Sequence, residues 1–465
     1  MTQPLFQNFK DGPIPSSFRD PSGFLFVQNG ILYRQINSCY SEHYEHAEHS
    51  GLFNHLIGEG LLIPHQESLP KQAIMPDAWK IIKPEPIKFI SYPYEWCFGQ
   101  LKSAALMTLT VQKKSLEHGM TLKDASAYNI QFKDGKTIFI DSLSFEIYRE
   151  GKPWGAYRQF CEQFLAPLAL MSCRDLRLNG LFLAHPGGIP LDLASKLLPG
   201  YSWFQPGLFL NLHLQARTQF KTMRNPENTA GNLLNKSSLL RLIDHLESTV
   251  LKLNFRSQKS QWADYKTHES YSPESLASKQ KIVSELLSLT PGSRLWDLGS
   301  NTGLFSEEAA KKADFVLAVD SDPVAGEAHW NRISKNNSKN ILPLIIDIAH
   351  PSPSLGWENK DLLSLEERGP ADTVMALAVL HHITITHNVP FERLANFLGR
   401  LCHSLIIEFI PKWDPKVREL LSRRVDIFPG FTTDGFEKAF LRFFKLCERR
   451  PIDGSSRILY LFRKN

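Results

Sequence analysis

The sequence lacks long hydrophobic runs and closely spaced cysteines. Its apolar stretches, such as LAPLAL at 165–170, are far shorter than the roughly 20 residues that a membrane-spanning helix needs. The six cysteines are widely separated and include no CxxC pair, which fits scattered reduced thiols better than a disulfide framework or a zinc site. The amino terminus has no basic segment followed by an apolar stretch. We therefore expect a cytoplasmic protein without a secretory signal or a membrane span.

Excess charge of one sign is also scarce. Lysines and arginines number 53 and acids 48, a balance of +5 over 465 residues, and basic and aromatic residues do not interleave. This gives no strong signal for nucleic-acid binding. Hydrophobic residues make up 42% of the chain, as in ordinary globular proteins, and the length predicts about three domains or two large ones.

The chain reads as two blocks separated by a polar joint. The first block covers 1–217 and the second covers 261–465. The joint, 218–260, is rich in Asn, Lys and Ser and contains one predicted amphipathic helix near 238–251.

The second block alternates apolar runs with helical patterns. Because continuous apolar strands separated by helices are typical of a parallel sheet covered on both faces, these runs predict an α/β fold. A final pair of strands, joined at Asp453-Gly454, reads as a hairpin. We expect a doubly wound, Rossmann-like sheet of seven strands that ends in an antiparallel hairpin. The five apolar runs lie at 294–298, 315–320, 341–346, 372–380 and 404–410.

A glycine loop follows the first of these strands, with Asp297 two residues before Gly299 and with Gly303 four residues after it. A dinucleotide site would need G-x-G-x-x-G, and a carboxylate here would repel a pyrophosphate and attract a cation. Asp320 ends the second strand, where it can hold a ribose diol, and Asp347 follows the third, where it can accept a proton from an exocyclic amine. The matching ligand has a cationic amino-acid end, a ribose and an adenine without phosphates, which describes S-adenosylmethionine.

With AVDSDP, LIIDIAHP, ALAVLHHI and the terminal hairpin, this loop resembles the class I SAM-dependent methyltransferase family over residues 261–465. The resemblance implies S-adenosylmethionine as cofactor. Asp297, Gly299 and Gly303 would hold its methionine end, Asp320 its ribose and Asp347 its adenine. The resemblance also places five neighbouring residues at the cofactor: Ser300, Asn301, Ser321, Ile348 and Ala378.

Candidate catalytic groups lie beyond the fourth and fifth strands. His381 and His382 follow the fourth strand, and Glu408 ends the fifth. Histidine titrates near neutral pH and could take a proton from the methyl acceptor. The alternative for the histidines is that they shape the cofactor pocket through their backbone. Glu408 also has a non-catalytic alternative.

The first block contains a pattern of phosphotransfer residues. Asp124 and Asn129 are five apart, and a hairpin with Asp134-Gly135 as its turn leads to Asp141. In phosphoryl transfer an Asp accepts the substrate proton, an Asn five residues later binds a metal, and an Asp after a hairpin binds metal and phosphates. The stretch resembles the protein-kinase-like and aminoglycoside-kinase-like families, which implies an α+β kinase-like domain. Residues 86–96 would be its hinge strand.

The resemblance weakens upstream. No glycine-rich phosphate loop precedes the hairpin at 23–36, and Arg34 stands where the family places a strand lysine. A helix predicted over 40–59 could supply a partner acid such as Glu45 or Glu48. Asp124, Asn129 and Asp141 therefore have a second interpretation as structural turn and hydrogen-bonding residues.

Three histidines on the same predicted helix, His43, His46 and His49, are spaced as zinc ligands can be. No further ligand lies nearby in the sequence. We therefore expect a solvated polar helix face and no metal site.

Three hypotheses follow. In the first, the chain is a SAM-dependent methyltransferase whose first domain presents or regulates an unidentified acceptor. The two-block layout is similar to that of nodulation-protein-like bacterial methyltransferases. In the second, the chain is a bifunctional phosphotransferase and methyltransferase, and in the third it is a non-catalytic scaffold of two degenerate enzyme folds. The sequence identifies neither the acceptor nor the oligomeric state.

Overall fold

The computed structural model describes residues 10–68, 73–217, 235–255, 271–290, 292–422 and 424–465. The chain divides into two compact units. The first comprises Met1–Ser257 with Gly356–Asp361, and the second comprises Gln258–Leu355 with Leu362–Asn465. Within the described residues, no helix has both the length and the apolar content needed to cross a membrane.

The first unit contains a five-stranded antiparallel sheet in which β1 and β4 form the edges, in the order β1-β2-β3-β5-β4. Two further two-stranded ribbons pair β6 with β9 and β7 with β8. The nine strands are β1 Gly12–Pro13, β2 Gly23–Gln28, β3 Ile31–Asn37, β4 His65–Ser68, β5 Ala78–Pro84, β6 Met120–Leu122, β7 Ile130–Lys133, β8 Lys136–Phe139 and β9 Phe145–Ile147.

Two tight hairpins of this unit follow from their turn residues. Asn29-Gly30 joins β2 to β3 and Asp134-Gly135 joins β7 to β8, and all four residues have a positive φ, between 50° and 76°. A two-residue hairpin turn favours such angles because they match the right-handed twist of the strands, and Asn, Asp and Gly adopt them readily. Both predicted hairpins are confirmed.

Helices make up much of the rest of the first unit. They are α1 Ser41–His49, α2 Leu52–Gly58, α3 Phe98–Glu117, α4 Tyr157–Phe160, α5 Ala166–Cys173, α6 Leu181–Ala184, α7 Leu191–Leu197, α8 Pro206–Leu208 and α9 Lys236–Lys252. A π-helical segment, Cys161–Leu165, makes α4 and α5 continuous.

The helix expected in the polar joint is α9, and it belongs to the first unit. It packs along α3, where Lys113 Nζ lies 2.7 Å from Asp244 Oδ1. Lys102 Nζ also donates to the carbonyl oxygen of Leu253 at 2.7 Å, just after the helix ends. The joint's other stretches, 218–234 and 256–260, lie outside the described residues, as do 261–270 of the second block.

Two local predictions in the first unit are wrong. The single helix over 40–59 is two helices, because Gly51 has φ +77° and interrupts the helical path between them. The hinge strand at 86–96 is absent: β5 ends at Pro84, and Pro93–Glu95 forms a 3₁₀ turn. Proline cannot donate a backbone hydrogen bond, which explains why the ladder stops here.

The second unit has a seven-stranded sheet in the order β12-β11-β10-β13-β14-β16-β15. The first five of these neighbours are parallel, and β16 runs antiparallel to β14 and β15. The α/β class is therefore confirmed. The seven strands are β10 Arg294–Leu298, β11 Phe315–Asp320, β12 Ile341–Ile345, β13 Ala371–Ala376, β14 Cys402–Phe409, β15 Phe444–Pro451 and β16 Ile458–Lys464.

The strand order places a crevice at the centre of this sheet. From β10 the chain moves outward through β11 to β12, then crosses back to β13 on the other side of β10. The connections therefore diverge beyond the carboxyl ends of β10 and β13, where open α/β sheets bind ligands. The helices of this unit are α10 Pro273–Ser288, α11 Leu304–Ala310, α12 Pro323–Lys335, α13 Phe391–Leu401, α14 Pro415–Ser422 and α15 Thr433–Phe440, with a π-helical turn at His382–Thr386.

Candidate functional site

A cavity of about 570 Å³ lies at these strand ends, within the second unit. Asp297 from β10, Asp320 from β11 and Asp347 after β12 all line it. Its size is that of a cavity for a small molecule or cofactor. Three acids from successive strands therefore share one cavity, as the ligand inferred from the sequence requires.

The glycine loop forms one wall of the cavity, and every second residue from Gly299 to Gly303 has a left-handed backbone conformation. Gly299, Asn301 and Gly303 have φ of +77°, +49° and +87°. Glycine adopts these angles without steric cost, and asparagine tolerates them better than most residues. The loop therefore turns sharply between β10 and α11 and keeps Gly299, Ser300 and Asn301 at the cavity.

The backbone N–H groups of this loop are bonded within the protein. Those of Gly299 and Ser300 donate to the carbonyl oxygen of Val319, at 2.9 and 3.0 Å. That of Asn301 donates to Asp320 Oδ2 at 2.7 Å. A phosphate-binding loop offers its N–H groups to the ligand. Here a carboxylate already accepts one of them, which argues against a pyrophosphate in the cavity.

Two of the three acids have raised pKa values. Burial raises the pKa of Asp297 to about 7, with a further rise from the nearby charge of Asp320, although Ser306 Oγ donates to its Oδ2 at 2.6 Å. Burial raises the pKa of Asp320 to about 6, opposed by backbone N–H groups such as that of Asp322, 2.9 Å from Oδ1. Both carboxylates therefore lack a full counter-charge, and a cationic ligand would supply one.

Other residues proposed from the sequence also line the cavity. Asp347 Oδ1 accepts the backbone N–H of Ala349 at 2.9 Å, which orients the carboxylate. Ser321, Ile348 and Ala378 also line the cavity. Ala378 has φ +53°, a strained angle for a residue with a Cβ, and such strain concentrates at functional sites.

His381 and His382 line the cavity as well, with their ring centroids 4.1 Å apart. Burial holds the pKa of His381 well below its usual value, and burial together with His387 lowers the pKa of His382 to about 4. Both imidazoles are therefore neutral at physiological pH. Among the described residues, none offers a hydrogen-bond partner to the buried Nδ1 of His381.

Glu408 does not line the cavity, contrary to expectation. It is fully buried in β14, where Lys279 Nζ donates to Oε2 at 2.7 Å and the hydroxyl of Tyr271 donates to Oε1. Although burial favours the neutral carboxyl, Lys279 and Arg457 lower its pKa. Glu408 is a buried anchor for cations and does not reach an acceptor.

The residues that Glu408 anchors were missed in the sequence. Tyr271, Lys279 and Arg457 line the cavity. Arg457 is fixed by Asp414, whose Oδ2 lies 2.8 Å from its Nε. A signal was present, because an acid inside the apolar run SLIIEFI needs a cationic partner. The sequence did not reveal which cation pairs with Glu408, because Lys279 has the pattern of a surface residue on an amphipathic helix.

Gly303 also departs from expectation, because it is not part of the cavity lining. A Cβ at this position would lie 2.2 Å from ring atoms of His329, which is completely buried. Gly303 therefore serves the close packing of the loop against α12 rather than contact with a ligand.

In the first unit, two of the three candidate phosphotransfer residues are linked through a common partner. Asn129 and Asp141 both bond to Ser144, and Asp124 bonds to Gln159. Arg34 pairs with Asp141 rather than with the expected Glu45 or Glu48. Glu48 instead pairs with Lys80 at 2.9 Å. Within the described parts of the chain, no group of three His, Cys, Asp or Glu side chains is arranged to hold a metal ion.

The sheet order and the acid-lined cavity define a methyltransferase-like α/β fold in the second unit. No protein-family model matches the sequence. Over 465 aligned residues, the chain is 34% identical to nodulation protein NoeA of Rhizobium meliloti (strain 1021), which covers 98% of this chain and 97% of the relative. The chain belongs to the NoeA family of nodulation proteins.

Solved structures match parts of the chain. The N-methyltransferase NodS of Bradyrhizobium japonicum WM9 is 15% identical with a TM-score of 0.31, covering 42% of this chain and 98% of NodS. The bifunctional kinase-methyltransferase WbdD is 17% identical with a TM-score of 0.29, covering 40% of this chain and 39% of WbdD. At these TM-scores the similarities carry no argument about activity.

Proposed function

We propose that the protein is a SAM-dependent methyltransferase that acts on an unidentified acceptor. One observation carries the proposal: Asp297, Asp320 and Asp347 line a single cavity around a loop whose N–H groups are already bonded. This arrangement suits an adenosyl ligand that carries a positive charge and no phosphate.

The residues present fit each part of S-adenosylmethionine. Asp297 would face the ammonium, Asp320 the ribose hydroxyls and Asp347 the amine of adenine. The carboxylate of the methionine end needs a cation, and Lys279 is the best placed. Its ammonium can donate three hydrogen bonds, of which Glu408 and Tyr271 accept two at 2.7 and 3.0 Å, so one remains for the cavity.

The bound donor supplies an electrophilic methyl group, and the chain must orient the acceptor and remove its proton. The neutral imidazole of His381 lines the cavity and could receive a proton from the acceptor, but the burial that lowers its pKa also makes it a weak base. His382, in ring contact with it, would support the same step. Replacing His381 by Gln would slow transfer by roughly 10²–10⁴-fold if it is the base. A backbone role alone would leave the rate nearly unchanged.

Equilibrium titration of the intact chain with S-adenosylmethionine tests the proposal. We expect binding by the wild type and a loss of at least about tenfold in affinity for Asp320→Ala, since a ribose diol would lose a charged acceptor. Asp434→Ala, at an exposed helix start in the same unit, is the matched control and should bind as the wild type does. Absence of binding by both the wild type and Asp320→Ala would defeat the proposal.

The proposal extends to the first unit, which would have an α+β kinase-like fold and present or regulate the acceptor. The five-stranded order β1-β2-β3-β5-β4, followed by a long helix, a short loop with Asp124 and a tight hairpin, supports that fold. The six cysteines are free thiols, which supports a cytoplasmic location. Variants of the first unit should then change acceptor turnover and leave the affinity for S-adenosylmethionine unchanged.

A further inference from the structure

The first unit carries the residue pattern of a phosphotransferase, and its side-chain contacts show whether those residues are available. Phosphoryl transfer needs an Asp to accept the substrate proton, an Asn and a second Asp to hold magnesium, and a cation to hold phosphates. In this chain the corresponding positions are Asp124, Asn129, Asp141 and Arg34. Their polar atoms would have to face a common space open to nucleotide and metal.

Asp141 is committed to partners of its own chain. Its Oδ1 pairs with the guanidinium of Arg34 and accepts the backbone N–H of Leu143 at 3.2 Å, and its Oδ2 accepts the hydroxyl of Ser144. The Arg34 and Asp141 side chains are only 14% and 15% exposed. Burial lowers the pKa of Arg34 to about 10, so it stays charged at neutral pH. Arg34 therefore already neutralises the charge of Asp141. A magnesium ligand would instead have that charge available for the metal.

The other two candidates are held in the same internal manner. Asn129 Nδ2 donates to Ser144 Oγ at 3.0 Å, so the fully buried Ser144 links Asn129 to Asp141. Asp124 Oδ1 accepts the backbone N–H of Ser126 at 2.9 Å and Nε2 of Gln159 at 2.7 Å. These contacts are those of structural turn and packing residues.

The segment before β2 is also linked to the loop that carries Asp124. The segment between β1 and β2, 14–22, contains no glycine and carries Asp20. Lys123, the residue before Asp124, donates to Ser22 Oγ at 2.8 Å and lies 3.6 Å from Asp20 Oδ2. The segment 14–22, where a phosphotransferase would have its phosphate-binding loop, is therefore bonded to the loop that carries Asp124. The carboxylate of Asp20 would repel phosphates.

We infer that the first unit does not transfer phosphate. Two ion pairs, the largely buried Arg34–Asp141 and the more exposed Lys123–Asp20, stand where a phosphotransferase holds magnesium and phosphates. They fix the five-stranded sheet to the segment 123–144. Asp124, Asn129 and Asp141 serve this structural purpose through their contacts with Ser126, Ser144 and Gln159. This inference does not depend on the activity of the second unit.

Calorimetric titration of the intact chain with ATP and millimolar MgCl₂ is the first test. We expect no binding heat and no shift in thermal unfolding, while titration with S-adenosylmethionine serves as a separate check of the second unit. Magnesium-dependent binding of ATP would overturn the inference.

A double-mutant cycle of Arg34→Met and Asp141→Asn is the second test. Each single variant leaves one largely buried charge without its ion-pair partner, so the melting temperature should fall by at least about 5 °C, whereas the double variant should lose less than the sum. Asp134→Asn, in an exposed turn whose φ of +50° suits Asn, should melt as the wild type does. Folding of the double variant where a single variant fails to fold would also support the pair. Additive losses of melting temperature in the double variant, or an unchanged melting temperature in Asp141→Asn, would overturn the inference.

Discussion

The ammonium of Lys279 lies 2.7 Å from the carboxylate of Glu408, although 129 residues separate them in the sequence. Both side chains are almost completely buried, at 2% and 0% exposure. The pair sits behind a cavity wall that Lys279 itself helps to form. The salt bridge therefore fixes a cation at the cavity wall.

The stability of the second unit should depend on Glu408 more than on Lys279. Glu408→Gln leaves the buried Lys279 without its salt-bridge partner and Arg457 with Asp414 alone, whereas Lys279→Met leaves Glu408 with Arg457, whose Nη1 lies 3.8 Å from Oε1. We expect Glu408→Gln to cost about 3–5 kcal/mol of unfolding free energy and Lys279→Met less, measured by urea denaturation. The exposed pair Arg400–Glu366 provides a control, and Glu366→Gln should cost under about 1 kcal/mol. Equal losses in all three variants would contradict this account.

Gly303 should not tolerate a methyl group. Gly303→Ala combines a φ of +87° with a Cβ placed 2.2 Å from the buried ring of His329, so we expect a loss of about 2–4 kcal/mol in unfolding free energy. At Gly430 a Cβ would meet no atom within 4 Å, and Gly430→Ala should stay within about 0.5 kcal/mol of the wild type. If chemical denaturation gives similar values for the two variants, the packing explanation of Gly303 is wrong.

Binding of S-adenosylmethionine should strengthen as pH rises. Below about pH 7 Asp297 is partly protonated in the free protein, and Asp320 follows at about 6. A cationic ligand favours the ionised acids, so binding must expel protons in this range. We expect affinity at least about tenfold weaker near pH 5 than near pH 7. Calorimetric titration with S-adenosylmethionine at several pH values measures this change in affinity.

The same titration of Asp297→Asn identifies the group responsible. Its affinity should change less with pH than that of the wild type, because one of the two titrating acids is gone. A wild-type affinity that is independent of pH, or identical slopes in both proteins, would refute the assigned role of Asp297.

His382 should make the protein sensitive to acid. Burial lowers its folded pKa to about 4, below its usual 6.5, so the unfolded chain binds the proton more tightly. The stability that its neutral form contributes is fully present above pH 6.5 and is lost as pH falls towards 4. Relative to His382→Gln, the wild type should lose about 2 kcal/mol between pH 7 and pH 5 in urea denaturation. A constant difference between the two proteins across this range would exclude the effect.

Features that depend on local sequence were predictable. The apolar runs at 294–298 and 315–320 coincide with β10 and β11, because strands buried on both faces are apolar throughout. Asp-Gly and Asn-Gly fixed the hairpins through their positive φ angles. The acids at the strand ends could be assigned to one crevice, since the carboxyl ends of parallel strands meet at one edge of a sheet.

Features that depend on contacts between distant segments were not predictable. The spacing of residues near Lys279 does not indicate that it contacts Glu408. Glu408 was expected at the active site because it ends the fifth predicted strand, where parallel sheets bind ligands. Arg34 likewise finds Asp141, 107 residues later, instead of an acid on the neighbouring helix. The helix at 40–59 broke because a single Gly51 adopted a left-handed angle that a helical pattern does not reveal.

The central claim is that the acid-lined cavity holds a phosphate-free adenosyl ligand. Competitive equilibrium binding of S-adenosylmethionine, S-adenosylhomocysteine and NAD⁺ to the intact chain tests it most directly. We predict that both sulfur-containing ligands bind at one shared site, that NAD⁺ does not compete, and that Asp320→Ala weakens both. Binding of NAD⁺ in preference to S-adenosylmethionine, with the same sensitivity to Asp320→Ala, would contradict the claim.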